Sequence, residues 1–261
     1  MNSHVKSDGT VGKAMDVLDA VASFGRPVRF SELLAHSPHP KATLYRFLQT
    51  LTNQRLLAYE GDTQTYHLGL RLVQLAHTAW GQSSLAPLAA PMLEAVAAET
   101  GETVHLAQID NGQVIFVDKR RSDPHFETLA QPGRVAPAFC TGVGKAILAF
   151  MSDERRSRAL RQQAFLPYTP ATHTGLDTLL PELAQIAQDG VAFDREEHEQ
   201  GIISIAAPIM GRDSRVIGAL SIATSTNRNT LSDLTAFRPA LLRACAQIGA
   251  AAQDWQFPAH P

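Results

Sequence analysis

The sequence predicts two domains of different class. The first is an N-terminal winged helix-turn-helix, mainly α with a β-wing. The second is a larger C-terminal α+β domain with an antiparallel sheet. Three observations predict this. Residues 11–53 hold three segments whose apolar positions follow helical spacing. Two short strand-like runs follow at once, where a winged helix-turn-helix carries its wing. From Leu85 onward, helical and strand-like segments are mixed and are punctuated by Gly, Asn and Asp turns. At 261 residues the chain is long enough for two cores. The boundaries read as 8–69 for the first domain, 70–84 for a connecting helix, and 85–255 for the second domain.

Val11, Ala14, Met15, Leu18, Val21 and Ala22 give the first helix, which Phe24-Gly-Arg-Pro27 ends. Ser31 is expected to cap a short second helix with Leu33 and Leu34 inward. Ser37-Pro-His-Pro40 is a tight turn. The third helix carries Leu44, Phe47, Leu48 and Leu51 as one apolar stripe. Its opposite face holds Ala42, Arg46, Gln49 and Asn53, with Thr43, Tyr45 and Thr50 flanking it. Arg reads guanine, and Gln or Asn reads adenine, in the DNA major groove. Lys41, Ala42, Thr43, Tyr45, Arg46, Gln49 and Arg55 are therefore the expected contacts to double-stranded DNA. Runs 56–60 and 64–68 flank Gly61-Asp-Thr63 as the wing hairpin. A helical packing domain with a surface hairpin is the alternative; the ordered set of four elements favours DNA binding.

The charge pattern constrains how DNA would be held. Residues 1–70 carry seven Lys/Arg against six Asp/Glu, and residues 71–261 carry sixteen against nineteen. An excess of one positive charge cannot sustain binding through a broad basic surface. A dimer, adding two half-sites, is expected. No apolar run reaches membrane-spanning length, and the N-terminus lacks a signal-type apolar stretch, so a cytoplasmic protein is expected. Cys140 and Cys245 have no metal-type spacing, and no disulfide between them is expected.

In the second half, residues 69–80 read as a helix broken at Gly81-Gln-Ser-Ser84. It either joins the domains and pairs with a second copy or packs on its own domain. Residues 85–100 give an Ala-rich helix that Gly101 caps. Runs 103–109 and 113–118 form a hairpin about Asp110-Asn-Gly112. Residues 142–150 read as a helix, Ser152 as the cap of another, and 177–188 as a third that stops at Gly190. Runs 191–193, 202–210 and 216–224 read as strands, with Asp213-Ser214 as the last turn. Residues 231–253 read as one final amphipathic helix.

Several segments could carry chemistry. Gly142-Val-Gly-Lys145 resembles a phosphate loop, but Phe139 and Ala146 stand where a nucleotide site needs Gly and Ser or Thr. The glycines then either expose helix N–H groups to an anion or allow tight packing. Asp194-Arg-Glu-Glu-His-Glu-Gln-Gly201 is either a solvated loop or a metal-binding run, with Asp194 the residue expected to face a pocket. Ser204 and Ser221 either face solvent by alternation or offer hydroxyls to a ligand. Cys140 reads as a small buried residue. There is no Gly-x-Ser-x-Gly, no His-Glu-x-x-His and no paired-cysteine site, so no enzyme or cofactor is expected, and no metal site is marked outside the acidic run.

Taken together, Lys41-Ala-Thr-Leu-Tyr-Arg-Phe-Leu-Gln-Thr-Leu51, Tyr66-His-Leu-Gly69, Cys140-Thr-Gly-Val-Gly-Lys-Ala-Ile-Leu-Ala149, the acidic run 194–201, Ala206-Ala-Pro-Ile209 and Gly218-Ala-Leu-Ser-Ile222 resemble the IclR family of bacterial transcription regulators. The likeness runs from about residue 11 to about 253. It implies a winged helix-turn-helix, a linker helix and a GAF-like effector-binding domain, assembled as a homodimer or dimer of dimers. It also implies an operator-DNA partner and a small organic-acid or sugar-acid effector. By motif, the effector residues are Ala136, Thr141, Gly142, Val143, Asp194, Ile202, Ser204, Ser221 and Ala223. Segments 45–50 and 251–258 look closest to the KdgR-like branch, which responds to sugar-acid catabolites. The reading is a ligand-responsive regulator, a repressor of a catabolic operon. The alternatives are an enzyme of small-acid metabolism and a constitutive DNA-binding protein whose second domain only dimerises.

Overall fold

The computed structural model describes residues 9–110, 112–121, 123 and 125–252. Two units divide between Gly81 and Gln82. The first contains α1 (Gly9–Ser23), β1 (Val28–Arg29), α2 (Phe30–His36), α3 (Lys41–Asn53), β2 (Leu57–Glu60) and β3 (Thr65–Leu68), followed by most of α4 (Leu70–Ser83). Its core joins Val17, Leu18 and Val21 of α1 to Leu33 of α2 and to Leu44, Phe47, Leu48 and Leu51 of α3. Each such side chain contributes about 1.5–3 kcal/mol on burial. The strands order as β1-β3-β2, all antiparallel, with Val28 opposite Tyr66 and Tyr59 opposite Tyr66 on the other edge. A side chain at Gly69, where the wing ends, would strike the Arg55 carbonyl, so the close return of the chain requires glycine.

Two expectations change here. Ser31 does not cap α2. Strand β1 delivers the chain two residues earlier, with Arg29 at the cap position, and the Glu32 carboxylate accepts the Arg29 N–H at 3.0 Å instead. The expected break over Gly81-Gln-Ser-Ser84 falls at its end rather than its start, since α4 runs through Gly81 to Ser83. One internal glycine costs a helix only about 1 kcal/mol.

The second unit opens with α5 (Ala86–Thr100), whose C-cap Gly101 takes the left-handed conformation at φ 69°. Then come β4 (Thr103–Asp110), β5 (Gln113–Arg120), β6 (Val135–Pro137), α6 (Gly142–Ala149), α7 (Asp153–Arg161) and α8 (Leu176–Asp189). Strands β7 (Ala192–Arg195), β8 (Ile202–Met210) and β9 (Val216–Ser225) follow, then α9 (Leu231–Leu234) and α10 (Arg238–Ala251). The hairpin residue Asn111 and the C-terminal residues 253–258 of the family likeness lie outside the described residues. Ser152 precedes α7 but its side chain makes no capping bond. The expected single last helix is broken, with a tight turn over Thr235–Phe237 between α9 and α10. Pro239 explains it, because a proline ring clashes with the carbonyl four residues back.

The sheet is antiparallel in the order β6-β5-β4-β9-β8-β7. Alternation along each strand sends Val104, Leu106, Ile203, Ile205, Leu220 and Ile222 to one face, under α5 and α10. Ala107, Ala192, Ala206 and Ala219 go to the other, under α6 and α8. These small residues let α6 lie close to the sheet. Further along the same face the residues turn polar. One ladder reads His105, Ser221, Ala206, Ala192 across β4, β9, β8 and β7; the next reads Thr103, Ala223, Ser204, Asp194.

Candidate functional site

The polar part of that face forms one wall of a small cavity, and the start of α6 forms the opposite wall. Its volume is about 40 Å³, room for a few water molecules. Thr141, Gly142, Val143, Asp194, Ile202, Ser204, Ser221 and Ala223 all line it. Ser204 and Ser221 are buried, not solvent-facing. Ala136 does not line it. Its place in β6 sets it opposite Val114, packed among apolar neighbours.

The chemistry of the wall follows from α6. Thr141 caps the helix: its hydroxyl donates to the Pro137 carbonyl at 3.0 Å and accepts from the Gly144 N–H at 3.2 Å. The first-turn N–H groups of Gly142 and Val143 have no carbonyl within the helix to meet. A Cβ on Gly142 would lie 2.8 Å from Ser204 Oγ and 3.5 Å from Asp194 Cβ. Glycine thus lets the helix start approach the polar stripe without displacing the Ser204 hydroxyl. Asp194 accepts the Glu197 N–H at 2.8 Å. Burial, reinforced by the Glu197 charge, pushes its carboxyl up to about 7.

Behind Asp194 lies a buried ionic cluster. Lys145, fully buried, donates to Glu182 at 2.7 Å and to Glu197. His173 contacts Glu182 at 2.5 Å, and Arg195 reaches it at 2.9 Å. Burial pushes the Glu182 carboxyl up, but Lys145 pulls it down further, leaving it below its ordinary value. His173, Glu182 and Glu197 offer ligand atoms within 4.8 Å of one another. That spacing could suit a metal, but the Lys145 ammonium already bridges both carboxylates. Asp194 and Glu197 of the acidic run are therefore buried and partnered, not part of a solvated loop, and the Lys145 ammonium is held by carboxylates. Cys140 and Cys245 are free and buried, and burial pushes both thiols up, that of Cys245 to about 12.

In the first unit, Lys41, Ala42, Tyr45, Arg46 and Gln49 are exposed on α3, and Thr43 is half-buried. Pro40 caps this helix, its carbonyl accepting from Thr43 and Leu44 at 2.9 and 3.0 Å. Gln49 donates to the Tyr45 hydroxyl at 2.9 Å. Arg55 stands apart, in a left-handed turn beyond the far end of α3 (φ 57°). An open groove of about 800 Å³ runs between the α3 start and the wing, lined by Lys41, Ala42 and Tyr45 with Arg29, Tyr59 and Gln64. Its basic residues and aromatic rings suit a phosphate backbone.

Comparison with known proteins gives the same two-part pattern. The profile described as "Bacterial transcriptional regulator IclR C-terminal" matches residues 77–250, and "IclR helix-turn-helix domain" matches residues 10–61. This chain belongs to the IclR family. It is similar to the HTH-type transcriptional regulator KdgR of Escherichia coli, 30% identical over 247 residues, 94% of each chain. The Escherichia coli transcriptional repressor IclR is 27% identical over 90% of this chain and 87% of its own. Among solved structures, an IclR homolog from Microbacterium hydrocarbonoxydans complexed with 4-hydroxybenzoate superposes with TM-score 0.80. It is 22% identical over 93% of this chain and 98% of that one, a likeness of fold. As an IclR-family member the chain is a DNA-binding transcriptional regulator; its matched domains are those of regulators, not enzymes. Among the described residues no helix is long and apolar enough to cross a membrane.

The cavity also holds residues that sequence reasoning missed: His105, Phe116, Thr128, Ala130, His198 and Glu199. Glu199 accepts the Leu129 N–H at 2.8 Å, and the His198 ring lies 5.3 Å from that of Tyr168. Burial holds the His198 imidazole below its ordinary value. The isolated histidine among apolar residues of β4 was the one signal in the sequence for His105.

Proposed function

We propose that this IclR-family regulator is an effector-responsive repressor of a catabolic operon, and that its effector is a small organic or sugar acid held in the α6 cavity, which widens from about 40 Å³ to admit it. The observation that carries the reading is the meeting of a helix N-terminus with a buried polar stripe. First-turn N–H groups favour an anionic group, while Ser204, Ser221 and Asp194 offer partners to hydroxyls. The name of the Escherichia coli repressor IclR supports the sign of regulation, and the 4-hydroxybenzoate of the Microbacterium protein supports an acid as ligand. Lys41, Ala42, Thr43, Tyr45, Arg46, Gln49 and Arg55 contact the operator. The chain acts as a homodimer or dimer of dimers in the cytoplasm. Its small positive excess supports the need for two half-sites, and the exposed Leu70, Val73 and Trp80, on one side of α4, offer an apolar face for pairing. The domain division is 8–69, 70–84 and 85–255.

Regulation needs only that the acid bind the DNA-competent and DNA-incompetent arrangements unequally, with a coupling of about 1–3 kcal/mol. The test is a gel-shift titration with DNA from upstream of its own and adjacent genes, with and without a panel of acids. A retarded complex that one acid dissolves, and that resists the same acid in Gly142→Ala, is expected. A complex insensitive to every acid would leave a constitutive DNA-binding protein. Sedimentation of an operator-binding monomer would remove the dimer.

A further inference from the structure

The polar ladder continues beyond Ser221. Its next member is His105, and the cross-strand partner of His105 on β5 is Lys119. Both side chains are almost wholly buried. His105 Nε2 lies 3.2 Å from the Thr128 hydroxyl. Lys119 donates to that same oxygen at 3.0 Å and to the Ala130 carbonyl at 3.2 Å. Burial, with the Lys119 charge beside it, pushes His105 down to about 3, so the ring is neutral. Burial also lowers Lys119. His105 and Thr128 line the cavity; Lys119 stands one hydroxyl behind them.

The Thr128 hydroxyl, the Ala130 carbonyl and the Glu127 carboxylate, 4.0 Å from the ammonium, offset the cost of burying Lys119, but packing alone would favour apolar residues there. The placement of His105 and Lys119 at the end of the cavity, on the ladder that already carries Ser221, is what a recognition point requires. We propose that His105, Thr128 and Lys119 form a second recognition point in the cavity that takes an uncharged oxygen, a hydroxyl or carbonyl, of the effector. The inference rests on the reading that the effector occupies this cavity. A second carboxylate does not fit. Asp194 and Glu199 both line the space, and no Lys or Arg does so among the described residues. With Nε2 on the Thr128 hydroxyl, the neutral imidazole keeps one ring nitrogen, donor or acceptor by tautomer, which suits a hydroxyl or keto group. The effector class is thus a mono-acid bearing an oxygen away from its carboxylate. Apolar acids lack the oxygen, and diacids carry the wrong charge.

The experiment is isothermal titration of the full-length protein with matched acids: 4-hydroxybenzoate against benzoate, gluconate against hexanoate, and adipate as the diacid. At least one hydroxylated acid should bind about tenfold or more tighter than its partner and tighter than adipate. His105→Leu should bring that ratio within about threefold while changing the Kd of the unhydroxylated acid little. His105→Gln should retain part of the preference. Thr128→Val, a smaller change, guards against a folding failure and should also reduce the ratio. A ratio unchanged in both His105→Leu and Thr128→Val overturns the second recognition point, as does tighter binding of adipate. If binding survives Gly142→Ala at full strength, the cavity reading itself falls. Absence of binding by every acid overturns both.

Discussion

Replacing Lys145 by Met tests the buried ionic cluster most directly. Lys145 is 0% exposed and Glu197 is 2% exposed as side chains. Glu182 keeps His173 and Arg195 when the lysine is lost. Glu197 keeps less: its Oε2 has no hydrogen-bond partner, and its nearest remaining cation-forming group, His173, is 3.6 Å away. Removing one partner of a buried pair costs about 3–5 kcal/mol. An independent bound agrees. A stranded carboxylate escapes by taking a proton, which for an ordinary glutamate at pH 7 costs about 3.7 kcal/mol. The loss corresponds to a Tm lower by about 7–15 °C for a unit of this size. It must also fade with pH, by about 1.4 kcal/mol per unit, as protonation becomes easier. Urea unfolding of the full chain by far-UV circular dichroism at pH 5, 6 and 7 reads both quantities. The double variant Lys145→Met/Glu197→Gln should recover most of the loss. A loss below about 1 kcal/mol at pH 7, or one that does not shrink toward pH 5, would show that Lys145 is not what neutralises this cluster.

Two further predictions concern the two units separately. Arg46→Ala should weaken specific operator binding by about 1–3 kcal/mol while leaving the fold intact, since the side chain is exposed opposite the α3 core stripe; equal affinity at fixed salt would remove it from the interface. Asp194→Asn should raise stability at pH 8 but not at pH 4. A carboxyl with a folded value of about 7 against an unfolded value near 3.9 holds its proton more tightly when folded. Stability therefore falls as pH rises between the two, and the amide escapes that loss. Denaturation midpoints that differ from the parent by the same amount at every pH would refute it.

What the sequence made legible was local. The α3 stripe could be read because helix period and burial are both set by neighbours within four residues. The order of four short elements then placed α3 in a winged helix-turn-helix. Gly101 and Gly190 marked helix ends correctly because a left-handed residue is a local requirement. Strand β6 escaped notice because it has three residues and ends in proline. Ala136, an expected effector residue, sits in that strand. Ser31 and the broken last helix were misread where a strand or a proline overrode propensity. Asp194, Ser204 and Ser221 could be named singly, but only the cross-strand register puts them on two adjacent ladders. Their partner His105 lies about a hundred residues earlier in the chain, beyond the reach of any local pattern.

The same register explains why a polar cavity can exist inside a well-packed unit. Alanines at 107, 192, 206 and 219 keep one face of the sheet shallow, so α6 descends onto it. Gly142 and Gly144 then let the first turn of α6 touch what lies beneath. A Cβ on Gly144 would strike Ala138, and one on Gly142 would meet Ser204. A larger residue at either position would lift the helix start and admit water to its N–H groups. Held down, the start of α6 shares with Ser204 and Asp194 a cavity of only about 40 Å³. Low local dielectric strengthens every hydrogen bond made there and penalises every one left unmade. A ligand that adds its second oxygen to the set gains from that strengthening, whereas an acid lacking the oxygen forgoes the bond. Selectivity for such a ligand therefore follows from how close two glycines bring a helix to a sheet. Enlarging Gly142 should abolish that selectivity before it unfolds the protein, because its neighbour at 2.8 Å is a serine side chain, not backbone.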